Sequence, residues 1–490
     1  MIKNDYTLYL KYIILAAIIY TPIFAHLDAL PIRIWDEARL AINAYEMSEN
    51  GNFLVTYFDG SPDMWNTKPP LLIWLQAFFI KIFGFNELAV RLPSAIAAFF
   101  TCVVIMVFSN KYLKSFWFGF IIVVVLVTSQ GYIHDHSTRT GDYDSLLSLF
   151  TTISGLLFFA YSERQNKKHL YLFFIFTALA VLTKSVTGLL FLPAMFLYSI
   201  LSKQLIPLLK NKHFYYGIGF FLSLVLGYYF LREIVNPGYV SAVQKNELGG
   251  RYLEVVENHN NVFLYYYNNF LQYKLEGWNL LIPLGVVVGL AAKDSKVRKL
   301  TIFSTLMVTT FFLIISTSQT KLAWYDVPLY PFISILVAVF IYYVFELLRN
   351  SIPVNELLFV NVMPYLFLFV IAIGPYQTIF EKTNGAKEIE SEIAFYELSQ
   401  YMKDAVKGRH DVNDKHVLLD GYNAHIWFYI INLNNKDIHT SFKDWTKLEP
   451  KDVVFTQQNH LKKYVEDHYD CEILNIYGNI VTYKIHGEKE

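Results

Sequence analysis

The chain has 490 residues, of which 54% are hydrophobic, 17% aromatic and only 17% charged, with a formal net charge of zero. A mean hydropathy of +0.33 excludes an ordinary soluble globular protein, and the charge balance gives no reason to expect a nucleic-acid partner. Cys102 in an apolar run and Cys471 near the end exclude a disulfide framework or a thiolate metal centre.

Apolar runs long enough to cross a bilayer are predicted at about 10–28, 88–109, 115–133, 144–161, 169–183, 185–202, 213–232, 276–292, 299–317, 325–347 and 355–377. The first reads as a retained helix, because no small-residue cleavage site follows it. Lys3 and Lys11, Lys111 and Lys114, Lys167 and Lys168, Lys203 and Lys210, and Lys293 to Lys299 all fall in short alternate segments. Basic short loops stay inside, so these segments are cytoplasmic and an odd number of spans leaves the C-terminus outside. The outer face then receives the loop 29–87, a second long loop at 233–275 and the tail. The expected domains are a membrane-embedded unit at 1–379 and a non-cytoplasmic unit at 380–490. In the tail a helix, the strands HVLLDGY and DVVFT, two further helices and two closing strands follow one another, which predicts a small α/β domain.

The first outer loop is longer than a connection needs. Asp36 and Glu37 open an amphipathic stretch, with Leu40, Ala41, Ala44 and Met47 on one face, that Gly51 would end; it suits a helix lying in the interface. Asp36 either caps this helix or faces a cleft as a general base. Lys68, Pro69 and Pro70 open a second apolar run of about 14 residues, too short to span, and proline costs no hydrogen bond in a first helical turn. Lys68 either meets an anion at that helix start or snorkels to headgroups. Asp142 reads as a helix cap, whereas Asp144 is a carboxylate near membrane depth and so a functional candidate. His134, Asp135 and His136 read as solvated loop residues rather than metal ligands. Tyr325 and Tyr330 read either as interfacial belt residues or as hydrogen-bonding groups for a sugar or phosphate.

These residues carry a resemblance. Asp36, Glu37 and Arg39, then Lys68 to Leu71 with Trp74 and Leu75, then Phe83, Gly84, Glu87, Ala89 and Arg91 to Ala95 resemble the polyprenyl-phosphate-sugar-dependent glycosyltransferases of the GT-C superfamily. The likeness is to the bacterial relatives of protein O-mannosyltransferases and to the lipid A aminoarabinose transferase. Arg139, Thr140 and Asp144, then Lys184 and Gly188, then Lys321, Tyr325, Pro328, Tyr330 and Pro331 match later motifs of that group. Ser185 stands where a glycine is usual and Asp326 where the segment is normally apolar. Arg251 falls near an arginine that the lipid A branch uses on phosphate.

The resemblance implies a polytopic α-helical enzyme, a hexosyl- or pentosyltransferase, in the inner membrane. It would move one sugar, with inversion, from a polyprenyl phosphate to lipid A, a glycan or a protein on the periplasmic face. Asp36 would be the base, with Glu37 and Asp144 as catalytic carboxylates, and Arg39, Tyr325 and Tyr330 would bind substrate. The leaving phosphodiester gains charge as it becomes a monoester. Outer cations at Lys68, Arg139, Lys184, Arg251 and Lys321 are expected to neutralise it by electrostatic preorganisation, with no metal cofactor required. A lipid-linked sugar transporter or flippase would show internal repeats, and none is visible; a polysaccharide ligase is the other alternative.

Overall fold

A computed structural model describes residues 2–249, 252, 261–350, 358–385 and 387–489. Arg251, expected at the phosphate, lies outside these residues.

The chain is a multi-pass helical membrane protein with a small C-terminal sheet domain. Seven described helices are long and apolar enough to cross a membrane. At four further expected positions the apolar helices are shorter: Tyr9–Phe24, Phe116–Val127, Leu192–Leu201 and Leu281–Leu290. Two of these depart from the expected runs at identifiable residues. The run expected to reach residue 133 stops at Val127, where Thr128 and Ser129 bond their hydroxyls to the carbonyls of Val124 and Val125 at 2.7 Å. The run expected at 185–202 begins instead as a 3-10 turn, Ser185–Leu189, before Leu192–Leu201. Ser185 has φ +49°, a left-handed conformation that glycine adopts without cost, which accounts for the usual glycine there.

The first outer loop forms two helices as expected. Asp36–Asn50 ends at Gly51 in the left-handed conformation (φ 68°), and Leu71–Phe83 follows Pro70. A short hairpin, β1 (Tyr57–Phe58) and β2 (Ser61–Pro62), joins them.

The tail holds β3 (Lys415–Val417), β4 (Thr440–Phe442), β5 (Val453–Thr456), β6 (Tyr469–Tyr477) and β7 (Ile480–Glu488) in the order β4-β3-β5-β7-β6. β3 runs parallel to β4 and β5, and β7 is antiparallel to β5 and β6. The sequence reading missed β4. Helix Ala424–Asn434 connects β3 to β4 and shares one apolar core with the first outer loop, where Phe428 meets Phe85 at 4.4 Å between ring centroids. Tyr429 donates to Glu87 at 2.8 Å and accepts from the Ile32 backbone N–H at 2.9 Å, and Asn432 donates to the Phe85 carbonyl at 2.6 Å. The loop and the tail therefore lie on one side of the membrane.

His425 on that helix is only 3% exposed, and its Nδ1 has no hydrogen-bond partner among the described residues. Burial pushes its pKa down from 6.5 to about 4. An unfolded tail binds the proton at a higher pH than the folded one, so stability falls as pH drops below about 6.5 and the loss is complete near 4. The difference corresponds to about 3 kcal/mol. Hydrogen exchange of residues 424–434 in the full-length protein should speed up across that window, and His425→Phe should remove most of the dependence.

Candidate active site

Two consecutive carboxylates in the first loop have different surroundings. Glu37 is fully buried. Its oxygens accept from Arg91 at 2.7 and 2.9 Å, from the Gly141 N–H at 2.8 Å and from the Arg33 N–H at 2.7 Å. Arg91 also donates to the carbonyls of Leu27, Leu30 and Pro31 at 2.7–2.9 Å. This pair staples the end of the first helix, the start of Asp36–Asn50 and the loop at Gly141 together. Glu37 thus corrects the expectation of a catalytic carboxylate: its acceptor capacity is used up in holding the backbone.

Asp36 is half-buried. It is the first residue of its helix; the cap position belongs to Trp35, and no side-chain cap bond is made. Trp35 has φ 69° and ψ −115°, a conformation rare for a bulky residue and worth about 1–3 kcal/mol of strain. Its ring stacks on Tyr422 of the tail at 4.9 Å and 11°. Asp36, His136 and Asp142 each offer a ligand atom within 4.8 Å of one another.

Asp142 occupies the cap position of helix Tyr143–Arg164 but makes no cap bond. Its carboxylate accepts from the Thr140 hydroxyl and lies 3.6 Å from His136 Nδ1. The His136 ring stacks on Trp324 at 3.7 Å and 8°. Burial opposes its charge, but the Asp142 and Asp36 carboxylates outweigh burial and raise its pKa to about 9. The arrangement has two chemical capacities. A protonated imidazole offsets one of the two carboxylate charges at neutral pH, and the same three groups have the donor set of a divalent-cation site. The sequence placed Asp142 at a helix cap and His136 among solvated loop residues; the signal for the cluster was their closeness within the ten residues 134–143 between two predicted spans.

Two residues on, Asp144 turns to another cavity. Both of its oxygens lie 2.6 Å from Lys184 Nζ. Lys184, Lys68, Glu247, Tyr252 and Tyr325 line a cavity of about 110 Å³. Lys184 sits 5.5 Å over the Tyr325 ring, Lys68 sits 5.5 Å over the Tyr143 ring, and Lys68 lies 3.4 Å from Glu247. Asp142, Tyr143 and Asp144 therefore join the Asp36 cluster to the lysine cavity along three consecutive residues.

The other expected site residues are placed elsewhere. Arg39 is held by Asp63 through two bonds of 2.8 Å, and stacks 4.2 Å over Phe58. Burial disfavours an ionised Asp63, but Arg39 and nearby N–H donors more than offset this and hold its pKa below the usual value. Arg39 shapes the hairpin beside Asp36 instead of lining the lysine cavity. Tyr330 is fully buried against Gly131, where a Cβ would meet its hydroxyl at 1.7 Å, so it is a packing residue. Lys321 donates to the Ser318 carbonyl at 2.5 Å, beside the lysine cavity but not in its lining. Arg139 lines a different cavity and donates to the carbonyls of Pro22, Ile23, Ala25 and His26 at 2.7–3.3 Å, at the C-terminal end of the first helix. Free helix-end carbonyls attract a cation.

Residues 67–229 match the family model described as Dolichyl-phosphate-mannose-protein mannosyltransferase. An uncharacterised protein of Aquifex aeolicus (strain VF5) is 27% identical over 315 residues, which is 63% of this chain and about 60% of that relative. ArnT from Cupriavidus metallidurans bound to undecaprenyl phosphate superposes with a TM-score of 0.72 at 13% identity, covering 97% of both chains. The Archaeoglobus fulgidus oligosaccharyltransferase tethered with an acceptor peptide gives 0.50 at 10% identity, covering 88% of this chain and 63% of that one. The resemblance carried by the loop motifs is thus borne out at the level of fold and family segment.

Proposed function

We propose, for a chain that shares the fold of ArnT and matches a protein mannosyltransferase family model over residues 67–229, that it is a GT-C glycosyltransferase that transfers a single sugar from a polyprenyl phosphate to a cell-envelope acceptor. The transfer takes place on the periplasmic face of the inner membrane. The observation that carries this reading is the adjacency of a half-buried carboxylate cluster at Asp36 to the buried lysine cavity of Lys68 and Lys184. Asp36 takes the proton of an acceptor hydroxyl. The acceptor oxygen bonds to the anomeric carbon, from the face opposite the phosphate, as the bond from that carbon to the phosphate oxygen breaks. The electron pair leaves with the phosphate, and the configuration inverts.

The phosphate gains one negative charge in this step. Lys68 and Lys184 lie where fixed positive charge stabilises it. Asp144 holds Lys184 in place, and Tyr325 closes the cavity beside it. Glu37 and Arg91 position Asp36 through the backbone they bind. His136 supplies one positive charge at the base cluster, and with Lys68 and Lys184 neutralising the leaving phosphate the step needs no divalent metal. Activity of the purified protein should survive EDTA; a loss of more than tenfold that Mn2+ or Mg2+ restores would assign the Asp36, His136 and Asp142 cluster to a cation instead.

Lys68→Ala should weaken product inhibition by polyprenyl phosphate. Loss of a hydrogen bond to a charged group costs about 1.5–3 kcal/mol, or roughly 10- to 150-fold in the inhibition constant. Unchanged inhibition would remove Lys68 from the phosphate site. The function itself is tested by mass spectrometry of envelope lipids, glycans and proteins from cells with and without the gene. One sugar-bearing species should vanish on deletion and return with the wild-type gene.

A further inference from the structure

Two further cavities share no lining residue with the lysine cavity. An apolar cavity of about 410 Å³ lies between the first helix, Ile2–Phe24, and the last membrane helix, Leu358–Thr383; it is lined by Ile14, Ile18, Trp117, Ala372 and Tyr376 among others. A second cavity, of about 540 Å³, is lined by His26, Arg33, Arg139, Thr140, Phe380 and Lys382 among others. The last membrane helix serves both: Tyr376 lines the first cavity and Phe380, four residues on in the same helix, lines the second. Residues four apart share a helix face. At 1.5 Å per residue, the two lie about 6 Å apart along the helix.

The second cavity carries an excess of cations where the first is apolar: Arg33, Arg91, Arg139, Lys382 and Lys387 line it together with the carboxylates Asp135 and Glu381. Arg33 is balanced by Glu388 and Asp135, and Arg91 by Glu37. Among the described residues, Arg139 and Lys382 make no ion pair; Arg139 donates to carbonyls and Lys382 to the Gln130 side-chain oxygen, with the Asp135 and Glu276 carboxylates further off. Burial and the nearby Arg91 lower the Arg139 pKa to about 10; it stays cationic at neutral pH and gains from an anion. Thr140 joins this cavity to the reaction site, because it lines the wall and its hydroxyl bonds Asp142.

We infer that the two cavities form one groove for an anionic lipid, which enters between the first and last membrane helices and presents its headgroup to Asp36 as the acceptor. The donor uses the separate cavity at Lys68 and Lys184. The acceptor role rests on the function proposed above; the lipid site does not, and binding alone tests it.

The test is native mass spectrometry of the purified full-length protein in detergent, with phosphatidylglycerol, phosphatidylcholine or undecaprenyl phosphate added. Wild type should retain one phosphatidylglycerol at least tenfold more than phosphatidylcholine. Ala372→Trp, which fills the apolar cavity, and Lys382→Gln, which removes a headgroup cation, should each lower phosphatidylglycerol retention at least fivefold and leave undecaprenyl phosphate retention unchanged. Equal retention of the two phospholipids would mean an apolar annulus and overturn the proposal. So would unchanged phosphatidylglycerol in both variants. Loss of undecaprenyl phosphate together with phosphatidylglycerol would make the groove the donor's route and overturn it as well. Each result can be read whether or not sugar transfer is detected. If binding holds, transfer to lipid acceptors in a cell extract should fall in Ala372→Trp with product inhibition by undecaprenyl phosphate unaltered; unchanged transfer would overturn the acceptor role while keeping the site.

Discussion

Asp36→Asn should lower turnover by about 10²–10⁴-fold, the usual cost of losing a general base. The amide keeps the size of the side chain and cannot accept the hydroxyl proton. Little else should change. The neighbouring fold is held by Glu37 and Arg91. Undecaprenyl phosphate should inhibit or bind the variant as it does wild type, because the lysine cavity does not include Asp36. A variant that turns over at more than half the wild-type rate would end the assignment of Asp36 as base. A variant that loses binding and folding with activity would make Asp36 structural.

Glu37→Leu and Arg91→Leu should each destabilise the protein by about 3–5 kcal/mol, because each strands one buried charge of a pair. Stability margins of folded proteins are about 5–15 kcal/mol, so both single variants should show markedly lower yield and thermal stability in detergent. Glu37 has the additional cost of leaving the Gly141 and Arg33 N–H groups unsatisfied. The double variant removes both charges and should recover part of the loss, as replacement of whole buried pairs generally does. The diagnostic result is the non-additivity. If the double variant is worse than the sum of the singles, the staple works through its backbone bonds and not through charge compensation.

The features legible in the sequence were local ones. The loop helices followed from the apolar spacing, Gly51 and the Pro69-Pro70 step, and the tail's α/β alternation followed from its strand and helix runs. The unread features are pairings over long separations. Glu37 meets Arg91 across 54 residues, so adjacent carboxylates that look equivalent in sequence divide into one that faces the site and one that holds it. Asp326, an odd charge in an apolar segment, is fully buried and lies 2.6 Å from Lys274 in the second long loop. Arg139 reads like any other outer cation until the end of the first helix is placed against it. Asp142 has the sequence position of a cap, and its side chain is drawn away by His136 and Thr140. Nothing in the tail's sequence announces that Tyr422 stacks beside the residue preceding Asp36.

The most direct measurement of the central claim is the fate of the lipid in a single round of transfer. Purified protein in nanodiscs, given a lipid extract of its source cells as donor and acceptor, should release one polyprenyl phosphate for each sugar transferred, with the sugar's anomeric configuration inverted and with no release from Asp36→Asn. Release of polyprenyl diphosphate, retention of configuration, or sugar transfer that consumes a nucleotide sugar and leaves the polyprenyl pool unchanged would contradict it.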